Sequence, residues 1–182
     1  MTLLRIRADE MDAPVSASDV AMIIGATEPI DVRLDEVHAG PVEAMGSEMK
    51  VKLERGHPGF AYIDENNVLM IRLEHKVSCF LEAEPNSATN LQLHHIVAFQ
   101  VMKELEVSEA AIQAFIETNV YFIAYPYVRQ SITQLTAALG LPPVVLGFMK
   151  RDEWPFHEED VDAAVDADEV STANREALEV SQ

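Results

Sequence analysis

The stretch Val68-Leu69-Met70-Ile71-Arg72-Leu73-Glu74-His75-Lys76-Val77-Ser78-Cys79-Phe80-Leu81 alternates with a period of two. Leu69, Ile71, Leu73, His75, Val77, Cys79 and Leu81 fall on one side, and Met70, Arg72, Glu74, Lys76, Ser78, Phe80 and Glu82 on the other. Successive side chains of a strand point to opposite faces, so one face is apolar and one largely charged. That is the pattern of an antiparallel sheet with one wet side. Extended to Ala83, the strand spans roughly 50 Å, and strands of that length bend, so a bulge is expected within it.

The same period continues on both sides. Downstream, Leu91, Leu93, His95, Val97, Phe99 and Val101 alternate, and Asn86-Ser87-Ala88-Thr89-Asn90 reads as a hairpin turn between the two runs. Upstream, Ile30, Val32 and Leu34 alternate with Asp31, Arg33 and Asp35, and Met49, Val51 and Leu53 with Lys50, Lys52 and Glu54. Residues 16–26 form a short helix before the first strand.

From Ser108 the period becomes helical. Ser108 suits an N-cap, with Ala111, Ile112, Phe115 and Ile116 as one stripe. A second helix carries Val128, Ile132, Leu135 and Leu139. Pro126 fits its first turn or a kink, and Gly140 with Pro142 and Pro143 ends it. Strands followed by helices indicate the α+β class. Three segments are expected: residues 1–28 with a short helix, an α+β domain over 29–150, and an acidic disordered tail over 151–182. From Asp152 onward eleven acidic residues face Arg175 alone, and almost nothing large and apolar follows Phe156.

Composition narrows the function classes. At 182 residues and 48% hydrophobic content the chain can build a core, and its formal net charge of -18 favours solubility. The same charge argues against nucleic acid and against an anionic membrane surface. Basic protein segments are attracted. Cys79 is the one cysteine, so neither a disulfide within the chain nor a cysteine-based metal site is expected. The N-terminus lacks the apolar run of a signal peptide, no stretch is long enough for a membrane helix, and the expected location is the cytoplasm.

Catalytic signatures are missing from the sequence. The seven glycines form no phosphate loop, which argues against ATP use, and neither G-x-S-x-G nor HExxH occurs. His94 and His95 are adjacent on a strand and point to opposite faces, so they do not hold one metal together. His75 and His95 face each other across the hairpin, giving two ligands and no third. Cys79 reads as a small buried hydrophobe. No cofactor and no metal is expected, and an enzyme is the least supported class. That class would return if His75 and His95 shared an open pocket with a carboxylate.

The aromatic residues cluster. Phe115, Tyr121, Phe122, Tyr125 and Tyr127 are five of twelve, all within thirteen positions. The segment Tyr121-Phe122-Ile123-Ala124-Tyr125 is apolar all round. Such a segment is deeply buried, part of an oligomer interface, or the wall of an apolar groove.

The run from Asn119 through Tyr125-Pro126-Tyr127-Val128-Arg129 to Ile132, then Gly140-Leu141-Pro142-Pro143-Val144-Val145-Leu146, resembles the SecB family of export chaperones. In that family an aromatic-Pro-Tyr-x-Arg segment opens a helix, and a Gly and a Pro-x-Leu-like apolar stretch follow. Residues 30–146 match the layout, and residues 119–146 match in their residues. The family's strand motif is loosely echoed by Phe99-Gln100-Val101-Met102. Its final apolar helix is replaced by Lys150-Arg151-Asp152-Glu153-Trp154 and the acidic tail, so the chain looks closer to the divergent SecB-like proteins, some of which serve toxin–antitoxin systems.

The resemblance implies a four-stranded antiparallel sheet followed by helices packed on one face. It also implies a homotetramer, a dimer of dimers, whose apolar grooves hold extended non-native chains without ATP. Phe99, Met102, Phe115, Tyr121, Phe122, Tyr125, Leu141, Leu146 and Phe148 are expected to line or support the peptide-binding groove. Pro126, Tyr127, Arg129, Gly140, Pro142 and Pro143 are expected to be structural, with Arg129 pairing with a carboxylate across an interface. The implied partners are unfolded or partly folded polypeptides, with the SecA translocase or an antitoxin beside them. The rival expectation is an adaptor of the same fold dedicated to one partner, such as an antitoxin.

Overall fold

The computed structural model describes residues 2–7, 16–41, 49–81 and 84–149. The expected tail, 151–182, lies outside the described residues. Strands β1 (Leu4–Arg7), β2 (Thr27–Ala39), β3 (Met49–Arg55), β4 (Gly59–Ile63), β5 (Val68–Leu81), β6 (Glu84–Val101) and β7 (Leu105–Ser108) combine with helices α1 (Ala17–Ala26), α2 (Glu109–Phe115) and α3 (Tyr121–Ala138).

The main sheet is antiparallel throughout, in the order β2-β6-β5-β3. β4 pairs with the N-terminal part of β5, on the edge whose C-terminal part β3 occupies. β3 and β4 therefore act as one interrupted edge strand, and the sheet is four strands wide as expected. Gly56 sits in the interruption and donates its N–H to the Glu74 carbonyl at 2.9 Å. A Cβ there would meet the Glu74 Cβ at 2.8 Å, which no rotation of that side chain relieves, so the close crossing favours glycine.

The face set by the alternation of β5 carries the core. Leu69, Ile71, Leu73, His75, Val77 and Cys79 of β5, with Leu91, Leu93, His95, Val97, Phe99 and Val101 of β6, are all buried. Met49, Val51 and Leu53 of β3 join the same layer. Phe99 meets Phe115 of α2 edge to face, with ring centroids 5.3 Å apart. The opposite face is mixed: Ile96 and Ala98 of β6 are buried there beside polar pairs, in which Glu36 of β2 accepts from Arg72 of β5 at 2.6 Å and contacts His94 Nδ1 of β6 at 3.0 Å.

Several local expectations are met. The helix expected over residues 16–26 is present as α1, and a capping box of Ser16 with Asp19, which was not foreseen, starts it. Ser108 caps α2 by accepting from the Ala111 N–H at 3.0 Å. Gly140 ends α3 at φ 75°, with Gly140 N–H bonded to the Ala137 carbonyl and Leu141 N–H to that of Thr136. This is a Schellman cap.

Other expectations are corrected. Residues 86–90 are not a turn but part of β6, where a register shift between Cys79 and Leu81 absorbs the extra residues. Pro85 brings no N–H to a ladder, which suits an irregularity. In β2, Ile30 is skipped by a register shift between Pro29 and Asp31, so it leaves the face of Val32 and Leu34 and is 55% exposed. The two expected helices are one, because a π-helical turn over Ile116–Val120 joins α2 to α3 without a break. Pro126 therefore lies inside a helix and opens none. A small parallel sheet of β1 with β7 was not expected. The Tyr62 hydroxyl accepts from the Leu3 and Leu4 N–H groups at 3.2 and 3.3 Å and ties β1 to β4.

Candidate functional site

Helix α3 presents two faces that follow from its sequence. At 100° per residue, Tyr121, Ala124, Tyr125, Val128 and Ile132 gather on one side, and all are buried against the sheet. Phe122, Pro126, Arg129, Gln130 and Thr133 gather on the other. The apolar segment 121–125 is thus divided between core and surface.

Residues 141–149 fold back along this helix as a strap. Its direction is set by the Schellman cap at Gly140 and by three hydroxyls of α3. Thr136, fully buried, accepts from the Val144 N–H at 3.0 Å. Thr133 donates to the Val144 carbonyl at 2.7 Å. One helical stretch earlier, Tyr125 donates to the Gly147 carbonyl at 2.6 Å. Burial raises the Tyr125 hydroxyl above the usual phenol range, with Arg129 opposing, so it remains a donor.

Between α3 and the strap lies an open cleft of about 370 Å³ lined by Pro126, Arg129, Gln130, Thr133, Gln134 and Val145. Its walls mix methyl and methylene groups with a few amides and one guanidinium. Arg129 covers the ring of Phe148 at 4.8 Å, which holds that aromatic at the rim although it is 84% exposed. Among the described residues Arg129 has no carboxylate partner. Val145, on the strap, is 63% exposed.

The expected groove residues separate into two groups. Phe122, Met102 and Phe148 are exposed, whereas Phe99, Phe115, Tyr121, Tyr125, Leu141 and Leu146 are buried. Leu141 and Leu146 pin the strap to the core, and Tyr125 tethers it. Phe115 at the end of α2 and Tyr121 at the start of α3 face the sheet, where Phe115 meets Phe99 and Tyr121 meets His75. Of the residues expected to be structural, Gly140 ends the helix, whereas Pro126 and Arg129 line the cleft itself. Val145, Thr133 and Gln130, which the sequence reading did not single out, complete the lining.

Beneath α3 the sheet carries a polar core. His75 and His95 meet edge to face at 5.7 Å, His75 meets Tyr121 at 6.1 Å, and His95 Nε2 lies 3.1 Å from Ser131 Oγ. Burial, reinforced by the other histidines and by Arg55, lowers the His75 pKa to about 3. Burial and His94 lower that of His95 to about 4. Both rings are fully buried, and among the described residues Tyr121 lies against His75 and Ser131 against His95. His94 points to the other face, as its position beside His95 requires. Cys79 is buried, and burial pushes its thiol up to about 11, so it packs as a hydrophobe. Among the described residues no three metal-ligating side chains cluster, and no helix is long and apolar enough to cross a membrane.

No protein-family model matches the chain, and no curated protein does. Among solved structures, it resembles the Mycobacterium tuberculosis SecB-like chaperone Rv1957, determined in complex with a ChAD peptide from the Rv1956 HigA1 antitoxin. The TM-score is 0.66 at 20% identity, over 75% of this chain and 99% of that one. A protein of unknown function from Streptococcus agalactiae matches at a TM-score of 0.36 and 13% identity, over 67% and 97% of the two chains, too distant to inform the fold. The antiparallel sheet, the long helix on one face and the match over nearly the whole of Rv1957 lead to one conclusion: this chain has the fold of a SecB-like chaperone.

Proposed function

We propose that the protein is an ATP-independent holdase, a non-enzymatic binder that keeps extended, non-native polypeptides from aggregating. The observation that carries this reading is the open cleft between α3 and the strap, with the exposed Phe148 ring held on its Arg129 and Phe122 exposed further along the same helix, on a SecB-like scaffold. Shallow, partly apolar walls with exposed aromatics suit side chains of many shapes, and a few amides suit the backbone between them. Phe122, Phe148, Arg129 and Val145 contact the client, Met102 adds a flexible apolar contact, and Tyr125, Leu141 and Leu146 hold the strap in place. Phe99, Phe115 and Tyr121 pack between the helices and the sheet. An acidic holder attracts basic segments of unfolded chains and resists co-aggregating with them.

The working form is a homotetramer in the cytoplasm. β2 bonds to β6 along one edge only, and it exposes Ile30, Leu34 and Val37, which supports pairing with further copies. Several clefts on one particle multiply weak contacts. Clients pass either to protein export, with SecA as receiver, or to a toxin–antitoxin system.

A second reading is an adaptor dedicated to one antitoxin-like peptide. It is favoured by the peptide bound in the Rv1957 structure. The two readings separate in a binding assay with Phe122→Ala and Phe148→Ala. Both residues are exposed, so the variants fold normally and bind several unrelated unfolded clients more weakly, by about tenfold for a lost aromatic contact of roughly 1–1.5 kcal/mol. Undiminished binding of every client contradicts the cleft assignment. Binding confined to one peptide sequence selects the adaptor.

A further inference from the structure

Resting on the holdase reading, we infer that the chain carries its own occupant for the cleft: the Trp154-Pro155-Phe156 segment docks there and competes with client. Four observations converge on this segment.

The first is where the chain leads. The strap runs back along α3 so that Gly147 lies at Tyr125 and Phe148 lies over Arg129, one of the cleft-lining residues. Trp154 follows six residues after Phe148. Six residues reach at most about 20 Å, and the cleft from Pro126 to Thr133 is only about 10 Å of helix. The cleft is therefore within the span that six residues allow from Phe148.

The second is composition. Trp154 is the one tryptophan of the chain, and with Phe156 it supplies nearly all the large apolar surface after Met149. An indole and a phenyl ring separated by one proline offer two aromatic rings within three residues.

The third is size. A cleft of about 370 Å³ suits one or two aromatic side chains and no folded domain. It has apolar walls at Pro126 and Val145 and amides at Gln130 and Gln134, which suits an indole with its single N–H donor.

The fourth is charge. Arg129 has no carboxylate partner among the described residues, and the aromatic pair is flanked by Asp152-Glu153 and Glu158-Glu159-Asp160. An acidic segment carrying two aromatics matches one cation beside an apolar cleft, because both the ion contact and the ring contact are satisfied together.

A tethered segment is present at an effective concentration on the order of millimolar. With an intrinsic Kd of roughly 0.1–1 mM for two rings, it weakens client binding by about two- to tenfold. That is enough to keep weak apolar ligands out while stronger, multivalent clients displace it.

The test uses the full chain and its single tryptophan. Trp154 emission is expected to be blue-shifted and shielded from acrylamide. It becomes quenchable in Val145→Asp, a substitution at an exposed position, and equally when a saturating client without tryptophan, unfolded and reduced ribonuclease A, is added. The double variant Trp154→Ala/Phe156→Ala binds that client about two- to tenfold more tightly. A Trp154 that is fully quenchable in the unmodified chain overturns the inference, and so does one that stays shielded in Val145→Asp, since it then docks elsewhere. Equal client affinity of the double variant and the parent also overturns it and leaves the holdase reading standing. If neither chain binds any client, the holdase reading fails and the competition inferred here fails with it, a result distinct from equal but measurable affinities.

Discussion

Replacing Thr136 by valine isolates what holds the strap. The substitution keeps the shape of the side chain and removes one oxygen. In the native chain that oxygen, fully buried, accepts from the Val144 N–H at 3.0 Å and donates to the Ile132 carbonyl at 2.9 Å. Ile132 keeps its helical hydrogen bond, so its loss is small. The Val144 N–H belongs to a residue only 4% exposed and is left without an acceptor. A buried, unsatisfied donor costs about 1–3 kcal/mol. For a chain of this size that lowers the melting midpoint by about 2–12 °C. Thr133→Val is the internal comparison, because it removes the donor to the Val144 carbonyl at a half-buried position where water replaces it, at a cost of about 0.5–1.5 kcal/mol. Thermal denaturation followed by circular dichroism reads both costs, and client binding reads the cleft, whose Val145 wall rides on the same tether. A Thr136→Val chain that melts with the parent and binds client as the parent does would refute the tether. So would a larger loss for Thr133→Val than for Thr136→Val.

Three further outcomes follow from the same contacts. Gly140→Ala forces a side chain into a φ of 75° at the Schellman cap and costs about 1–2 kcal/mol in urea denaturation; an unchanged midpoint means the cap is not needed. His75 and His95 are held neutral by burial, with pKa values of about 3 and 4 against about 6.5 unfolded, so between these limits the unfolded chain binds more protons. Stability therefore falls as pH drops below about 6.5, by up to about 1.4 kcal/mol per unit for each histidine. His75→Leu roughly halves the fall between pH 6.5 and 5, and an identical slope excludes His75 as its source. Tyr121→Ala removes a ring that is only 2% exposed and destabilises by about 3–5 kcal/mol, so its effect on client binding is inseparable from unfolding; a stable Tyr121→Ala chain contradicts the packing described.

Much of the fold was legible because it is written locally. The alternation of β5 placed Leu69 to Cys79 on the core face, and caps at Ser108 and Gly140 marked helix ends through side-chain and backbone chemistry that acts within a few residues. What the sequence concealed depends on partners distant in the chain. β1 and β7 are four residues each, too short for a period to declare itself, and they pair across about a hundred residues of chain, from Leu4–Leu105 to Arg7–Ser108, with Leu105 also donating to the Leu3 carbonyl at 2.7 Å. Residues 86–90 have turn composition, yet a bulge consumes the same residue types. Pro126 read as a helix start or a kink, and the choice stayed open because the π-helical turn that carries the helix past residue 120 leaves no compositional mark.

The candidate site was half legible. The aromatic cluster pointed to α3, but its segment 121–125 is apolar all round, and only packing decides that Phe122 faces outward while Tyr121 and Tyr125 face the sheet. Leu141, Leu146 and Phe148 were picked out as an apolar stretch. That this stretch folds back to make a cleft depends on Thr133, Thr136 and Tyr125, whose spacing along α3 was a signal that acquires meaning only once the strap is seen beside them.

The central claim is that this chain binds unfolded polypeptide as an oligomer without nucleotide. Size-exclusion chromatography with light scattering tests it most directly, using the protein alone, with an unfolded reduced client, and with the same client folded. The account predicts a tetramer that co-elutes with the unfolded client and ignores the folded one. A clean oligomer that leaves the unfolded client behind would contradict it.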